Sequence, residues 1–333
     1  MQDISEVIDL YLSMETAYAV MISGPWGSGK TYFVKNSLIP KIEATPLKQD
    51  NTKHYRPVLV SLFGQKSIDE VQASILLSLF PFAGNKFAKL GGILAKGLFK
   101  GALKLGGFDA FPDGTAGTHF DSKDWIKFEE LVLIFDDLER RHKDLPLEEV
   151  LGFINSLVEA GNNKVLIITH EKEQKDQHYH DLKEKTVGIT VIFQPDLMVS
   201  MKNIITTRFA SSPLYQRFLL DNAGSITAAF LKQSKNLRIF TYWLSYFQFV
   251  FSQLEDVLDG IEPLENNKNV ILLELLHFSM AIAIEYKGGH IWLGNTNELD
   301  RENFMTLTAL FAERLRQQAK DKGNNTDKPK PYF

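Results

Sequence analysis

The chain has 333 residues, 44% hydrophobic and 23% charged, the proportions of a globular protein with a sizeable core. A formal net charge of -4 gives no overall pull toward nucleic acid or anionic membrane, so any such affinity must be local. Cysteine is absent, which excludes disulfides and thiolate metal sites and suits a reducing compartment.

The first residues, Met1-Gln2-Asp3-Ile4-Ser5-Glu6, lack the basic and apolar blocks of a secretory signal, and no uncharged apolar run reaches the length of a membrane span. The expectation is a cytoplasmic protein. Residues 3–14 read as an amphipathic helix with Ile4, Val7, Ile8, Tyr11 and Leu12 on one stripe. The apolar run Tyr18 to Ile22 reads as a buried strand entering a turn, and a helix opening at Tyr32-Phe33-Val34 is expected to stop near Pro40. A second strand is expected at 57–63, followed by a capping box, Ser67 to Glu70, that opens a helix reaching about Phe80. Leu131 to Phe135 is the clearest buried strand and ends in two carboxylates. A helix over 146–160 follows with Pro146 in its first turn, then strands at 164–170 and 189–193. Nearly all-apolar strands alternating with helices imply a parallel sheet covered on both faces. From about Asp196 the pattern is helical, and the tail after Gln318 has the composition of a disordered segment.

Gly24-Pro25-Trp26-Gly27-Ser28-Gly29-Lys30-Thr31 lies between an expected strand and an expected helix. In such a loop the glycines let backbone N–H groups face a phosphate at a helix amino terminus. Lys30 would reach the terminal phosphates and the Thr31 hydroxyl would ligate Mg²⁺. The alternative is a glycine turn in an unrelated fold, which the strand-loop-helix context disfavours. The complementary carboxylates are Asp136 and Asp137, after the most apolar strand: Asp136 to hold Mg²⁺ and Asp137 to orient the attacking water. Asp137 is shorter than the Glu common at this place in related ATPases, so slow turnover is expected.

These two motifs, the loop with Trp26 inside it and Asp136-Asp137-Leu138-Glu139-Arg140, resemble the KAP family of P-loop NTPases, whose motifs read approximately GxWGxGKT and DDLDR. The resemblance covers roughly residues 1–240, and Glu139 departs from the family's usual Asp. It implies the additional-strand type of P-loop fold, in which another strand separates the two that bear the motifs. It also implies a polar sensor after the next strand, here Thr169 and His170 where Asn is commoner. A helical lid is implied as well, whose asparagine–arginine element is matched by Asn236-Leu237-Arg238. Arg238 would reach the phosphates from that lid. Arg140, Arg141 and Arg208 are further candidates for an arginine acting in cis or across a subunit contact. Bacterial relatives in the family are often found in defence against phage, which makes an antiviral ATPase or nucleotide-gated switch the leading biological expectation.

Members of the family often carry membrane-spanning segments between the two motifs. Here residues 86–105 hold Lys86, Lys89, Lys96, Lys100 and Lys104 with no acid between them. On a helical wheel these lysines fall within about 80°, with Phe87, Leu94, Leu98 and Leu105 across from them. The lysines interrupt the apolar stretch too often for it to span a bilayer, and Gly91, Gly92, Gly97 and Gly101 weaken it as a helix. Packing on the protein's own core or on a partner subunit is the favoured reading. Peripheral contact with a membrane surface and contact with DNA or RNA stay open behind it.

Two tempting signals are set aside. His170, His178 and His180 near Glu171 and Asp181 have no known metal-ligand spacing. The run Phe240, Tyr242, Trp243, Tyr246, Phe247, Phe249, Phe251 lacks interleaved basic residues and reads as a buried helix or a subunit interface rather than a base-stacking platform.

The expected organisation is an α/β P-loop NTPase domain over residues 1–198, with a glycine- and lysine-rich insertion at about 81–122. A helical lid or carboxy-terminal domain over 199–318 and a tail over 319–333 complete it. The nucleotide contacts are Gly24, Pro25, Trp26, Gly27, Ser28, Gly29, Lys30, Thr31 and Tyr32. Thr31 and Asp136 take Mg²⁺, and Lys30, Asp136, Asp137, Arg140, Thr169, His170 and Arg238 carry the chemistry. The expected ligands are ATP and Mg²⁺; the absence of a guanine-reading Asn-Lys-x-Asp motif after the strands favours ATP weakly and leaves GTP open, and the expected partner is another copy or a protein effector. A module that binds nucleotide without turnover, or a scaffold at the membrane surface, is the rival expectation.

Overall fold

The computed structural model describes residues 4–79, 107–108, 126–161, 163–171, 179–259 and 267–289. The lysine-rich segment 86–105, His178 and the tail 319–333 lie outside the described residues, and of the insertion only Gly107–Phe108 is described, paired antiparallel with Ile126–Lys127. By contact pattern the chain separates into two units, residues 1–197 and 198–333.

The first unit is built on five parallel strands: β1 (Ala19–Ser23), β2 (Arg56–Ser61), β3 (Leu131–Asp136), β4 (Lys164–Thr169) and β5 (Val187–Ile192), in the order β2-β3-β4-β1-β5. Every residue of β3, β4 and β1 is buried, as their unbroken apolar runs require, whereas the edge strands β2 and β5 mix buried with exposed positions. Because side chains alternate across a strand, Ala19 and Met21 face one core and Val20 and Ile22 the other. The first core is closed by α4 (Ile68–Leu79) and α5 (Leu147–Gly161) through Val71, Ile75, Leu151 and Ile154. The second is closed by α1 (Ile4–Ser13) and the helix after the glycine loop, through Ile8, Tyr11, Val34 and Leu38. The amphipathic stripe read from residues 3–14 is the buried face of α1.

Pro40 does not stop the helix after the loop. That helix runs as α2 (Lys30–Phe33), a π-helical turn (Val34–Leu38) and α3 (Ile39–Ala44), with Pro40 at the start of α3. An interior proline lacks an N–H and crowds the carbonyl four residues back. The wider π turn, in which the Ile39 N–H donates to the Val34 carbonyl five residues earlier, makes room for it. At α4 the Ser67 half of the expected capping box forms in place, and the Glu70 half reaches one residue further back. The Glu70 N–H is 3.3 Å from Ser67 Oγ, while the Glu70 carboxylate accepts from the Lys66 N–H at 2.7 Å. Tyr179–Thr186, just before β5, forms α6.

The second unit is helical: α7 (Leu197–Arg208, entering from the first unit), α8 (Pro213–Asp221), α9 (Ala223–Gln233), α10 (Leu237–Asp259) and α11 (Lys268–Lys287). The aromatic run divides by helical period. Phe240, Trp243, Phe247 and Phe251 are buried, while Tyr246 and Phe249 face outward. The Trp243 ring stacks on Phe230 at 5.8 Å, and its indole N–H donates to Leu276 O and Ser279 Oγ at 3.0 and 2.9 Å. Among the described residues α11 alone is long and apolar enough to cross a membrane, with a mean hydropathy of 1.4. It carries Glu274 within it, and its Leu272, Leu276 and Met280 are buried in the helical unit.

Candidate functional site

The carboxyl ends of β1, β3 and β4 meet at one edge of the sheet, where ligands of open α/β folds bind. The loop leaving β1 is fixed at its start by the Gly24 N–H, which donates to Thr169 O at 3.1 Å, and by the Phe193 N–H, which donates to Ser23 O at 2.7 Å. Gly27 and Gly29 hold φ of 72° and 95°, the left-handed region that glycine enters without strain. A side chain at Gly24 would press on Phe193, 3.1 Å from its carbonyl oxygen and 3.2 Å from its Cβ. The helix beginning at Lys30 leaves its first amides without intrahelical partners, the arrangement a phosphate satisfies.

Lys30 is buried, and its ammonium donates to Gly24 O at 2.6 Å and Pro25 O at 3.0 Å. Burial lowers its pKa below the ordinary lysine value, against the opposing pull of Glu139, Asp136 and Asp137. The Thr31 hydroxyl donates to Asp136 Oδ2 at 2.7 Å, and Asp136 Oδ1 accepts the Asp137 N–H at 2.8 Å. Burial pushes the Asp136 carboxyl above the usual range, partly offset by these two hydrogen bonds. The Ser28 hydroxyl is buried without a hydrogen-bond partner in the described structure. Asp137 is the only non-glycine described residue with positive φ, 59°. Its carboxylate is 3.4 Å from Ser61 Oγ at the end of β2 and 3.9 Å from the Arg140 guanidinium.

Trp26 occupies the centre of a second group of contacts. Its indole N–H donates to Glu139 Oε1 at 2.6 Å, Arg140 lies over its ring at 5.0 Å, and the His170 ring meets it edge-on at 5.3 Å. Thr169 Oγ1 donates to Glu139 Oε2 at 3.0 Å. Burial would raise the Glu139 carboxyl. Hydrogen bonds from Trp26, its own backbone N–H, the His170 N–H and Thr169 outweigh that and hold it below the usual value.

The first unit thus brings together Gly24 to Thr31, Asp136, Asp137, Arg140, Thr169 and His170. Tyr32 follows the loop and is 66% exposed. Arg238 belongs to the second unit, where the Asn236 side chain caps α10 by accepting the Arg238 N–H at 3.0 Å. Arg141 is committed to the carbonyls of Leu145 and Leu138, and Arg208 Nε bonds Ser245 Oγ at 3.2 Å. Two residues that the motif reading left out of the site stand in it, Glu139 and Ser61. Their only signals in the sequence were a motif position with an unusual side chain and a hydroxyl at a strand end.

The donor set suits Mg²⁺: a hydroxyl and a carboxylate already within 2.7 Å, beside a buried lysine and an unpartnered serine hydroxyl in a glycine loop. A glycine loop after β1, an aspartate at the end of β3 and an intervening β4 define a P-loop NTPase of the additional-strand type, with nucleotide binding as its function. Residues 2–96 match the family model of the KAP family P-loop domain. The carboxylate motif at Asp136 lies beyond the matched residues. A search of curated proteins finds no match. Among solved structures the chain is similar to Drosophila ORC bound to DNA (12% identity over 89% of this chain and 68% of that one, TM-score 0.41). It is also similar to Cdc6p from Pyrobaculum aerophilum (13%, 93% and 84%, TM-score 0.41) and to Aeropyrum pernix ORC1 in complex with DNA (14%, 93% and 80%, TM-score 0.40).

Proposed function

We propose that the chain binds ATP with Mg²⁺ and hydrolyses it slowly, using the nucleotide to drive a conformational or assembly switch. The observation that carries this is the convergence of Lys30, Thr31 and Asp136, with Thr31 Oγ1 and Asp136 Oδ2 2.7 Å apart although 105 residues separate them in sequence. Thr31 and Asp136 would hold Mg²⁺, which when bound spreads and neutralises phosphate charge. Lys30 supplies a fixed positive charge to the terminal phosphates, and its site is dry enough to strengthen that attraction. The Ser28 hydroxyl and the first amides of α2 are donors for phosphate oxygens. Asp137, oriented by Ser61 and Arg140, positions water for attack, and its short side chain supports slow turnover.

Binding of ATP with Mg²⁺ by calorimetry and steady-state phosphate release test this, with Lys30→Ala as control. Lys30→Ala should weaken binding by a factor of about 100, the loss of a buried charge contact. No measurable binding by the natural chain would overturn the proposal. Binding with phosphate release no faster than in Lys30→Ala would replace it with the non-hydrolysing switch. The setting we propose, defence against phage, is supported by the family resemblance. Equal protection of a bacterial host by the natural chain and by Lys30→Ala would count against it.

A further inference from the structure

Glu139 joins three separate segments of the first unit. One carboxylate oxygen receives Trp26 from the loop after β1, and the other receives Thr169 from the end of β4, while Glu139 itself sits on the 3₁₀ turn Leu138–Arg140 that follows β3. The His170 N–H adds a further donor. Both carboxylate oxygens accept hydrogen bonds, and these stabilise the charged form and make it a weaker proton acceptor. Glu139 is therefore unsuited to act as the base, although it lies close enough to Lys30 for their charges to interact.

The consequence of these contacts is mechanical. Trp26 stands between Pro25, whose carbonyl accepts from Lys30, and Gly27, whose φ of 72° sets the curve of the loop. Arg140 on the ring and the His170 edge against it leave the indole little freedom to turn. The Pro25 carbonyl lies in the peptide plane that ends at the Trp26 Cα, so holding Trp26 in place restrains the seat of the lysine. We infer that Glu139 is a positioning residue that latches Trp26 of the phosphate loop to Thr169 at the end of β4, so that the phosphate-receiving shape of the loop and the strand end beside it are set together. The inference rests on the ATP-binding reading above. It adds that occupancy of the loop is felt at Thr169 and His170 through Glu139, and that the loop tryptophan reports it.

The test is a mutant cycle on the affinity for ATP with Mg²⁺. Trp26→Phe keeps a ring and removes the donor, and Thr169→Val removes the hydroxyl at nearly constant shape. Glu139→Gln places an N–H₂ against donors on one side or the other. Each single change should weaken binding about tenfold, as expected for losing a hydrogen bond to a charged group. Trp26→Phe combined with Glu139→Gln should be no weaker than Glu139→Gln alone, because both break one latch. Glu139→Asp, which restores charge and two acceptor oxygens, should recover most of the affinity. The fluorescence of Trp26, taken as the natural chain minus Trp26→Phe, should change on adding ATP and should not change in the Glu139→Gln background.

Additive losses in the double variant would overturn the latch, and so would a Glu139→Gln protein with unchanged affinity and abolished turnover, which would make Glu139 the base. If Glu139→Gln does not fold, the Trp26→Phe and Thr169→Val cycle decides by the same criterion. Failure of the natural chain to bind ATP would remove the underlying reading and the latch with it. Binding with additive single effects would remove the latch alone.

Discussion

Lys164 opens β4 at the end of the sheet away from the glycine loop, and it is a buried lysine with no ion pair to a carboxylate among the described residues: its ammonium donates to Met14 O and to Thr16 Oγ1 at 2.9 Å and lies 4.6 Å from the Tyr11 ring centre. Burial lowers its pKa from 10.5 to about 8, with Lys48 adding to the effect and Glu15 opposing it. A shift of that size corresponds to about 3 kcal/mol of stability, since each pKa unit is worth about 1.4 kcal/mol. The folded chain releases this proton near pH 8 and the unfolded chain near 10.5. Between those values the unfolded state binds more protons, so stability rises with pH. Below pH 8 both states are charged and the full penalty acts. Lys164→Met fills the same space without a titrating group. The assay is urea unfolding of the full chain with and without the substitution, because the difference cancels every other titrating group. The natural chain should gain about 2.5 kcal/mol on Lys164→Met between about pH 7 and about pH 10. A difference that stays flat across that range refutes the reasoning.

Two further substitutions test the packing that positions the site and the helical unit. Gly188→Ala would place a Cβ 2.4 Å from the Tyr18 ring, whose backbone carbonyl accepts the Tyr11 hydroxyl at 2.9 Å. The ring must move, and a loss of about 1–3 kcal/mol is expected as a fall of several degrees in Tm; an unchanged melt would show the contact to be soft. Tyr215→Phe removes a buried hydroxyl that donates to Leu244 O at 2.7 Å and should cost about 1–2 kcal/mol, measured by urea unfolding. A neutral effect would mean that another donor satisfies that carbonyl.

The elements most legible in the sequence were those whose local and tertiary demands agree. Leu131 to Phe135 and Val165 to Ile168 are apolar throughout because both their faces are buried, and an unbroken apolar run needs no partner to show it. The glycine loop was equally legible, because positive φ at Gly27 and Gly29 is a property of the backbone itself. The failure at Pro40 has the opposite origin. A proline reads locally as a helix stop, yet a π turn and a buried face carrying Val34, Leu38 and Ile42 carry the helix past it.

What the sequence determined by itself was the chemical inventory of the site: a phosphate loop with Lys30 and Thr31, and a strand ending in Asp136 and Asp137. Those features are local, because a loop or strand end carries its donors and acceptors with it. Which groups face one another was decided only by the tertiary structure. Strand order places β4 between β1 and β3, and so brings Thr169 to Glu139 and Glu139 to Trp26 across 113 residues of chain. A hydrogen bond acts over about 3 Å, and separation along the chain says nothing of that distance until the sheet has closed.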